Sequence, residues 1–153
     1  MEKEFDKIID SMPALFTRLE SMDPIDRLQA RKLLPKKGVY VFYENGKPIY
    51  VGRSQNIPNR VLNHGRPSSG NNSATFAFLL AKEEYSKKQS NKKLTRNALE
   101  QDPVFDKIYR EQKERVFKMK IKAVEIESHE AEAIFEIYAS KRMGTKYNDF
   151  ATH

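Results

Sequence analysis

The stretch GVYVFYENGKPIYVG, residues 38–52, carries the strongest fold signal in the chain. β-Branched and aromatic residues lie on both sides of the dipeptide Asn45-Gly46, which is the strongest short signal for a β-hairpin. The stretch therefore predicts two antiparallel strands. Each strand carries a tyrosine two residues from a glycine, Tyr40 in the first strand and Tyr50 in the second.

Whether Tyr40 and Tyr50 share a face of the sheet depends on the turn, because a one-residue slip in register moves a strand's side chains to the other face. A two-residue type I′ turn pairs Glu44 with Lys47 and places the tyrosines on opposite faces. A type I turn followed by a glycine bulge pairs Tyr43 with Lys47 and places the tyrosines directly across from each other. The sequence is compatible with both turns.

The rest of the chain is predicted to be mostly helical, with one further strand. Apolar residues at helical spacing and capping residues such as Ser128 mark the helices. Residues 116–126 (VFKMKIKAVEI) alternate apolar residues with lysines, which predicts a strand with one packed and one basic face. This order of elements indicates an α+β fold, in which helices flank a small three-stranded antiparallel sheet. The predicted helices cover residues 13–22, 24–34, 56–64, 74–85, 103–115 and 129–143.

The first two predicted helices form an N-terminal helical extension, residues 1–35, and residues 36–153 form the main domain. Two polar segments interrupt that domain. RPSSGNNS, residues 66–73, is predicted to be a loop that moves or folds over a ligand. KKQSNKKLTRN, residues 87–97, holds five cations and no acidic residue, which fits a solvated linker and a phosphate-contacting strip equally well.

The composition narrows the class of partner and the compartment. Lys and Arg total 28 against 21 Asp and Glu, and this net charge of +7 favours a polyanion or an anionic surface as partner. The chain has no cysteine, which excludes disulfides and thiolate sites and predicts a cytoplasmic setting. No apolar run reaches the roughly 18 residues of a membrane span, and the N-terminus has charges where a signal peptide is apolar, so no membrane association or export is expected.

Four separated elements carry a family resemblance. Gly38-Val39-Tyr40 and Tyr50-Val51-Gly52 resemble the two halves of the signature of the GIY-YIG nuclease family. That family has an arginine on the helix after the second half, where this chain has Arg60, eight residues after the last glycine of that half. It also has a glutamate about twelve residues before a late asparagine, and Glu136 lies twelve residues before Asn148.

Two further positions can be compared with relatives. A restriction-enzyme branch of the family has a histidine one helical turn after the arginine, and His64 stands four residues after Arg60. Arg53 is a departure, because relatives such as the excision-repair nuclease often carry lysine there; both residues are cationic. The resemblance covers residues 38–148, although the basic segment 87–97 within that span cannot be aligned.

The resemblance implies a role for each of these residues. Glu136 is expected to hold a single Mg²⁺ or Mn²⁺ ion, whose shell water and substrate phosphate complete. Arg60 is expected to bind the scissile phosphate through its planar guanidinium. Tyr40 or His64 acts as general base, a choice left open, and Tyr50 holds the attacking water or the phosphate. The expected substrate contacts are Arg53, Asn148, Lys118, Lys120 and Lys122.

The predicted function is therefore metal-dependent hydrolysis of DNA to 5′-phosphate and 3′-hydroxyl ends, as the resemblance implies. A homodimer is one way for a short chain to cut both strands. The alternatives are a non-catalytic DNA-binding module of the same fold, an RNase and a basic interaction protein. Each residue also has an ordinary interpretation, since by spacing alone Glu136 lies on a solvated helix face with His129, Glu132 and Ser140.

Overall fold

The computed structural model describes residues 2–67, 74–88 and 95–148. Residues 68–73 of the predicted loop, and residues 89–94 of the basic segment, lie outside the described residues. The elements are α1 (Glu2–Ser21), a 3-10 helix (Arg27–Gln29), α2 (Ala30–Leu33), β1 (Gly38–Glu44), β2 (Lys47–Ser54), α3 (Ile57–His64), α4 (Thr75–Lys88), α5 (Arg96–Gln101), α6 (Pro103–Phe117), β3 (Lys120–Glu125) and α7 (His129–Met143).

The predicted α+β fold is confirmed. The three strands form one antiparallel sheet in the order β2-β1-β3, so β1 is central and β2 lies at an edge. Helix α7 begins after Ser128, whose hydroxyl accepts a hydrogen bond from the backbone N–H of Ala131, and it ends at Gly144, whose φ of 66° is left-handed. Both ends of this helix therefore follow the capping pattern of the sequence.

Several element boundaries differ from the prediction. Helix α1 runs through Pro13 instead of beginning there. Ile25 was predicted to be helical, but its backbone exchanges hydrogen bonds of 2.9 and 2.8 Å with Ile121 of β3. The strand predicted over residues 116–126 is shorter, because Val116 is buried as part of α6 and Lys118 caps that helix. Part of the predicted linker at residues 87–97 is helical, at the end of α4 and the start of α5.

The hairpin contains the type I′ turn and also a bulge. Asn45 and Gly46 both have positive φ, 53° and 78°, as a two-residue type I′ turn requires. One extra residue, Ile49, then separates the pair Tyr43–Pro48 from the next pair along the ladder, Phe42–Tyr50. A bulge of one residue shifts the register of the ladder by one. Beyond the bulge, each side chain of β2 therefore lies on the opposite face from the one that the turn alone would give it.

The chain forms two compact units, residues 1–60 with 119–153, and residues 61–118. In the first unit, α1 and α7 pack on one face of the sheet. The predicted division at residue 35 does not follow this packing, because α1 contributes buried side chains to the same core as the sheet instead of extending from it. That core consists of Met12, Phe16, Leu19, Val39, Val41, Val51, Val124, Ile126, Ala131, Phe135 and Ala139.

The second unit is helical and has an aromatic centre. Helix α4 packs on α6, and α5 also contacts α6. The ring of Phe78 lies edge-on to Phe105 at 5.3 Å and to Tyr109 at 5.6 Å between centroids. Within the described part of the chain, no helix combines the length and apolar character needed to cross a membrane.

Candidate active site

The bulge places Tyr40 and Tyr50 on the same face of the sheet. Tyr40 lies opposite Gly52 and Tyr50 lies opposite Phe42, so the two tyrosines are diagonal neighbours across the hairpin. Neither turn expected from the sequence produces this arrangement by itself. The type I′ turn formed, and the shared face results from the extra residue. Pro48 was the available signal, because proline within a sheet is confined to edge strands and bulges.

Tyr40 is almost completely buried, with 1% of its surface exposed. Its ring lies edge-on to Phe42 at 5.6 Å and covers Gly52, where a Cβ atom would collide with the phenol. The glycine of the second half-signature therefore has a structural reason, since only a residue without a side chain leaves room for the Tyr40 ring.

Arg60 and Glu136 act electrostatically on both phenols. Burial raises the pKa of Tyr40 well above its usual value of 10.0, and the neighbouring Tyr50 raises it further. The positive charge of Arg60, together with a hydrogen bond that its guanidinium donates to the phenol, opposes this rise, while Glu136 adds to it. Arg60 comes from α3 and Glu136 from α7, so these four residues come from two strands and two helices.

Tyr50 is in a similar electrostatic environment. Burial is the main cause that raises the pKa of Tyr50 to about 12, with Glu136 raising it and Arg60 lowering it. Both phenols are therefore protonated at neutral pH, and each has an O–H that can donate a hydrogen bond. This bears on the general base: burial has the largest effect on the pKa of Tyr40, and the positive charge of Arg60 does not overcome it.

Glu136 is paired with Arg53. The Arg53 Nε atom lies 3.5 Å from Glu136 Oε1, and 19% of the Glu136 side chain is exposed. Arg53 lies opposite Val39 in the ladder, so it shares the face of the sheet on which α7 packs. The carboxylate of Glu136 thus has one cation beside it and retains some access to solvent.

The chemistry of Glu136 fits a hard divalent cation. A carboxylate oxygen is the ligand type that Mg²⁺ and Mn²⁺ prefer, and Mg²⁺ usually keeps several waters and is held by one or two carboxylates plus substrate phosphate. Among the described residues, no group of three His, Asp or Glu side chains is arranged to hold a metal ion. Glu136 is the residue that the resemblance implies would hold the ion, with the remaining ligands coming from water and substrate.

Asn148 binds the sheet edge through both ends of its amide. Its Oδ1 accepts a hydrogen bond from the backbone N–H of Val51 at 2.9 Å, and its Nδ2 donates to the Val51 carbonyl at 2.7 Å. Thr145 also donates to Asn148 Oδ1, at 2.8 Å. These contacts satisfy backbone groups of β2 next to Tyr50. Contact of Asn148 with substrate stays a prediction.

The predicted basic residues lie in three different environments. Lys120 is exposed at the start of β3. Lys118 is an exposed residue that caps α6 and lies 3.9 Å from Glu114. Lys122 lies on the face covered by α1, where its Nζ donates to the Glu20 carbonyl at 2.9 Å. The expected basic face of this strand is therefore partly occupied by the protein itself.

His64 is fully buried and is the last residue of α3, one helical turn after Arg60. It belongs to the second compact unit, whereas the other predicted catalytic residues belong to the first. Its role as general base stays a prediction.

Gln55 and Glu132 were not identified as site residues in the sequence, although both lie near Glu136. Glu132, which the ordinary interpretation assigned to a solvated face, is only 2% exposed, and Ser140 on the same stripe is also buried. The Nε2 atom of Gln55 donates a hydrogen bond to Glu132 Oε2 at 2.8 Å. The signal was present as a glutamate one turn before Glu136, but a polar helix stripe does not reveal by itself that a strand covers it.

No protein-family model, curated protein or solved structure matches the chain. The likeness to the GIY-YIG nucleases therefore rests on the residues described above.

Proposed function

We propose that the protein is a metal-dependent DNA endonuclease of the GIY-YIG type. The observation that supports this most strongly is the electrostatic cluster of Tyr40, Tyr50, Arg60 and Glu136, four residues from separate parts of the chain. Each member has a use in phosphodiester hydrolysis, and ordinary packing does not call for a buried and a partly buried phenol that interact with an arginine and a glutamate.

In the proposed reaction, Arg60 binds the non-bridging oxygens of the scissile phosphate and neutralises the charge that grows there. Tyr40 and Tyr50 are neutral, so their hydroxyls donate hydrogen bonds that hold the phosphate or the attacking water. A divalent ion on Glu136 would supply Lewis-acid stabilisation of the phosphate and the leaving oxygen. The products are a 5′-phosphate and a 3′-hydroxyl, as the resemblance implies.

The protonated state of Tyr40 changes the choice of general base. A phenol whose pKa is raised far above neutral does not accept the proton of the attacking water in the resting state. We therefore assign Tyr40 to donating and orienting, and His64 remains the predicted residue for the proton transfer. DNA as substrate and a cytoplasmic location are further parts of the proposal, supported by the net charge of +7 and by the absence of cysteine.

The test is cleavage of supercoiled plasmid with Mg²⁺ or Mn²⁺, for wild type, Glu136→Ala and Arg60→Ala. Glu111→Ala and Arg31→Ala are matched controls, because both residues are exposed helix positions outside the cluster. We expect metal-dependent nicking by wild type and both controls, and its loss in the two cluster variants and on addition of EDTA. Plasmid that is bound but not cut by folded wild type would instead support the binding module, and cleavage of RNA alone would support an RNase.

A further inference from the structure

Two side-chain bridges join the end of β2 to α7. One is the ion pair of Arg53 with Glu136, at 3.5 Å. The other is the hydrogen bond from Gln55 to Glu132, at 2.8 Å. Arg53 lies near the end of β2 and Gln55 is the first residue after the strand, whereas Glu132 and Glu136 are one turn apart on α7.

The spacings of the two bridges match. Two residues at the spacing of a strand span roughly 6.6 Å, and side chains four residues apart on a helix begin roughly 5–6 Å from each other. A shift of α7 by one turn along β2 would therefore break both bridges together. The hydrogen bond from Gln55 to Glu132 thus forms in the same alignment of α7 with β2 as the Arg53–Glu136 ion pair.

The two bridges differ in strength. Glu132 is 2% exposed, so its carboxylate is withdrawn from water and depends on the partners around it. The Arg53–Glu136 pair is more open, with 45% of the Arg53 side chain exposed, and exposed ion pairs hold their geometry weakly. Lys37, His129 and Arg53 also act electrostatically on Glu132, and together with Gln55 they oppose the rise in its pKa that burial causes.

We propose that Gln55 and Glu132 are positioning residues of the site, whose hydrogen bond holds Glu136 in place for the metal ion. This inference rests on the proposed function for its catalytic consequence. It assigns no contact with substrate or metal to either residue. The weaker Arg53–Glu136 ion pair can separate when Glu136 binds an ion. The Gln55–Glu132 hydrogen bond keeps α7 aligned with β2 while it does so.

The kinetic test compares Gln55→Ala, Glu132→Ala, Glu132→Gln and the double variant Gln55→Ala/Glu132→Ala. Glu132→Gln keeps a carbonyl oxygen that can accept the hydrogen bond from Gln55 but removes the negative charge. This variant therefore distinguishes the effect of the hydrogen bond from the effect of the charge. We expect Gln55→Ala and Glu132→Ala to lower kcat by roughly tenfold or more with little change in KM for DNA. Glu132→Gln should keep most of the wild-type kcat, and the double variant should be no worse than Glu132→Ala.

A purely structural role predicts a different pattern, in which kcat follows thermal stability. Gln55 is exposed, but Gln55→Ala removes a hydrogen-bond donor from the buried Glu132 carboxylate, so we expect a moderate fall in melting temperature and a loss of kcat larger than partial unfolding explains. Wild-type kcat in Gln55→Ala, or equal losses in Glu132→Gln and Glu132→Ala, would overturn the proposal.

A second readout needs no cleavage. The side-chain Nε–H signal of Arg53 in NMR spectra reports its pairing with Glu136. We expect Gln55→Ala and Glu132→Ala to shift this signal and to speed exchange of its proton with water, and Glu132→Gln to leave it near the wild-type position. If the signal responds in this way while wild type cuts no DNA, the proposed function fails and the positioning role stands. If wild type cuts DNA and the signal ignores both alanine variants, the positioning role fails.

Discussion

Tyr40 gets its chemical properties from burial. A phenol in water titrates near 10, but a buried phenol keeps its proton because the phenolate loses the solvation of water. Arg60 compensates only in part. At the scale of single residues, the candidate site therefore combines two neutral phenols with the cations Arg60 and Arg53 and the carboxylate of Glu136. Phenol hydroxyls and guanidinium groups are donors that a phosphate can accept from.

Tyr40→Phe tests this donor role. The change removes only the hydroxyl and its hydrogen bond with Arg60, while the ring contacts with Phe42 and Gly52 remain. We expect kcat for DNA cleavage to fall on the order of a hundredfold, with a change in the free energy of unfolding within about 1.5 kcal/mol. Tyr43→Phe is the control, because Tyr43 lies on the opposite face of the same strand. Equal activity of the two variants would rule out a catalytic hydroxyl at Tyr40.

Alkaline pH should destabilise the protein through Tyr50. The unfolded chain releases this proton near pH 10, whereas in the folded protein the pKa of Tyr50 is about 12, so stability falls as pH rises between these values. The full loss from this residue is about 2–3 kcal/mol, at roughly 1.4 kcal/mol for each pKa unit. About half of this loss falls between about pH 9 and about pH 11. Urea unfolding at about pH 9 and about pH 11 should show a smaller fall in Tyr50→Phe than in wild type. A fall of equal size in both proteins would contradict the assignment.

At the scale of elements, the hairpin combines a turn that its local sequence predicts with a bulge that decides which face carries Tyr50. Asn45-Gly46 forms the turn that its residue types favour, and Ile49 adds the extra residue that changes the parity of the strand. Without the bulge, Tyr50 would lie opposite Val41, on the face of the sheet that packs in the core. The extra residue thus separates the apolar face from the face that carries the tyrosines.

Gly52→Ala tests the close contact between the strands. An alanine Cβ would collide with the Tyr40 ring, so we expect a loss of about 1–3 kcal/mol in the free energy of unfolding together with displacement of Tyr40. Gly46→Ala is the comparison, because nothing lies within 4 Å of a Cβ there but φ is 78°. It should cost stability through backbone strain, about 1 kcal/mol, without loss of cleavage. Cleavage by Gly52→Ala at the wild-type rate would contradict the expected displacement.

Lys122 and Lys120 should behave differently although they stand two residues apart on β3. Lys122 bonds the last turn of α1 through the Glu20 carbonyl, and its Nζ lies 5.1 Å from the centre of the Tyr43 ring. Lys122→Ala should lose about 1 kcal/mol of stability. Lys120 is exposed, so Lys120→Ala should change stability by less than about 0.5 kcal/mol. Thermal or urea unfolding decides this, and equal losses would contradict the structural role of Lys122.

At the scale of the whole molecule, charge is the property that bears most directly on the partner. The net charge of +7 adds a sequence-independent attraction to any polyanion, whatever the site recognises. Some of the cations are already used within the protein, as Lys122 and Arg53 demonstrate. The number of phosphate contacts that we expect is therefore smaller than the number of basic residues.

DNA binding should weaken steeply with salt. We expect affinity, measured without metal by fluorescence anisotropy, to fall markedly between about 50 and 200 mM salt, because each phosphate contact releases counterions. Lys120→Ala should reduce the slope of log affinity against log salt by about 1, and Glu111→Ala should leave it unchanged. Binding that is insensitive to salt would contradict a polyanion as partner.

Local rules predicted the parts of the fold that depend on neighbours in sequence. The hairpin, the α+β class and the two ends of α7 at Ser128 and Gly144 follow from turn and capping chemistry. Local rules predict a helix at Ile25. The structure differs because Ile25 pairs with Ile121, which lies far along the chain, and local rules cannot identify such a partner. The sequence gives the spacing of the candidate site residues, but it does not give the solvent exposure of the residues around them. The burial of Glu132 was missed for that reason.

The sequence by itself determined which elements form and which reactive residue types stand at which spacing. Only the tertiary structure decided that the tyrosines share a face, that the pKa of both phenols is raised, and that a partly buried hydrogen bond from Gln55 to Glu132 lies beside Glu136. The physical reason is that register, burial and electrostatic environment depend on residues brought together from distant positions. Turn types and helix caps depend on residues a few positions apart, and these can be read directly from the chain.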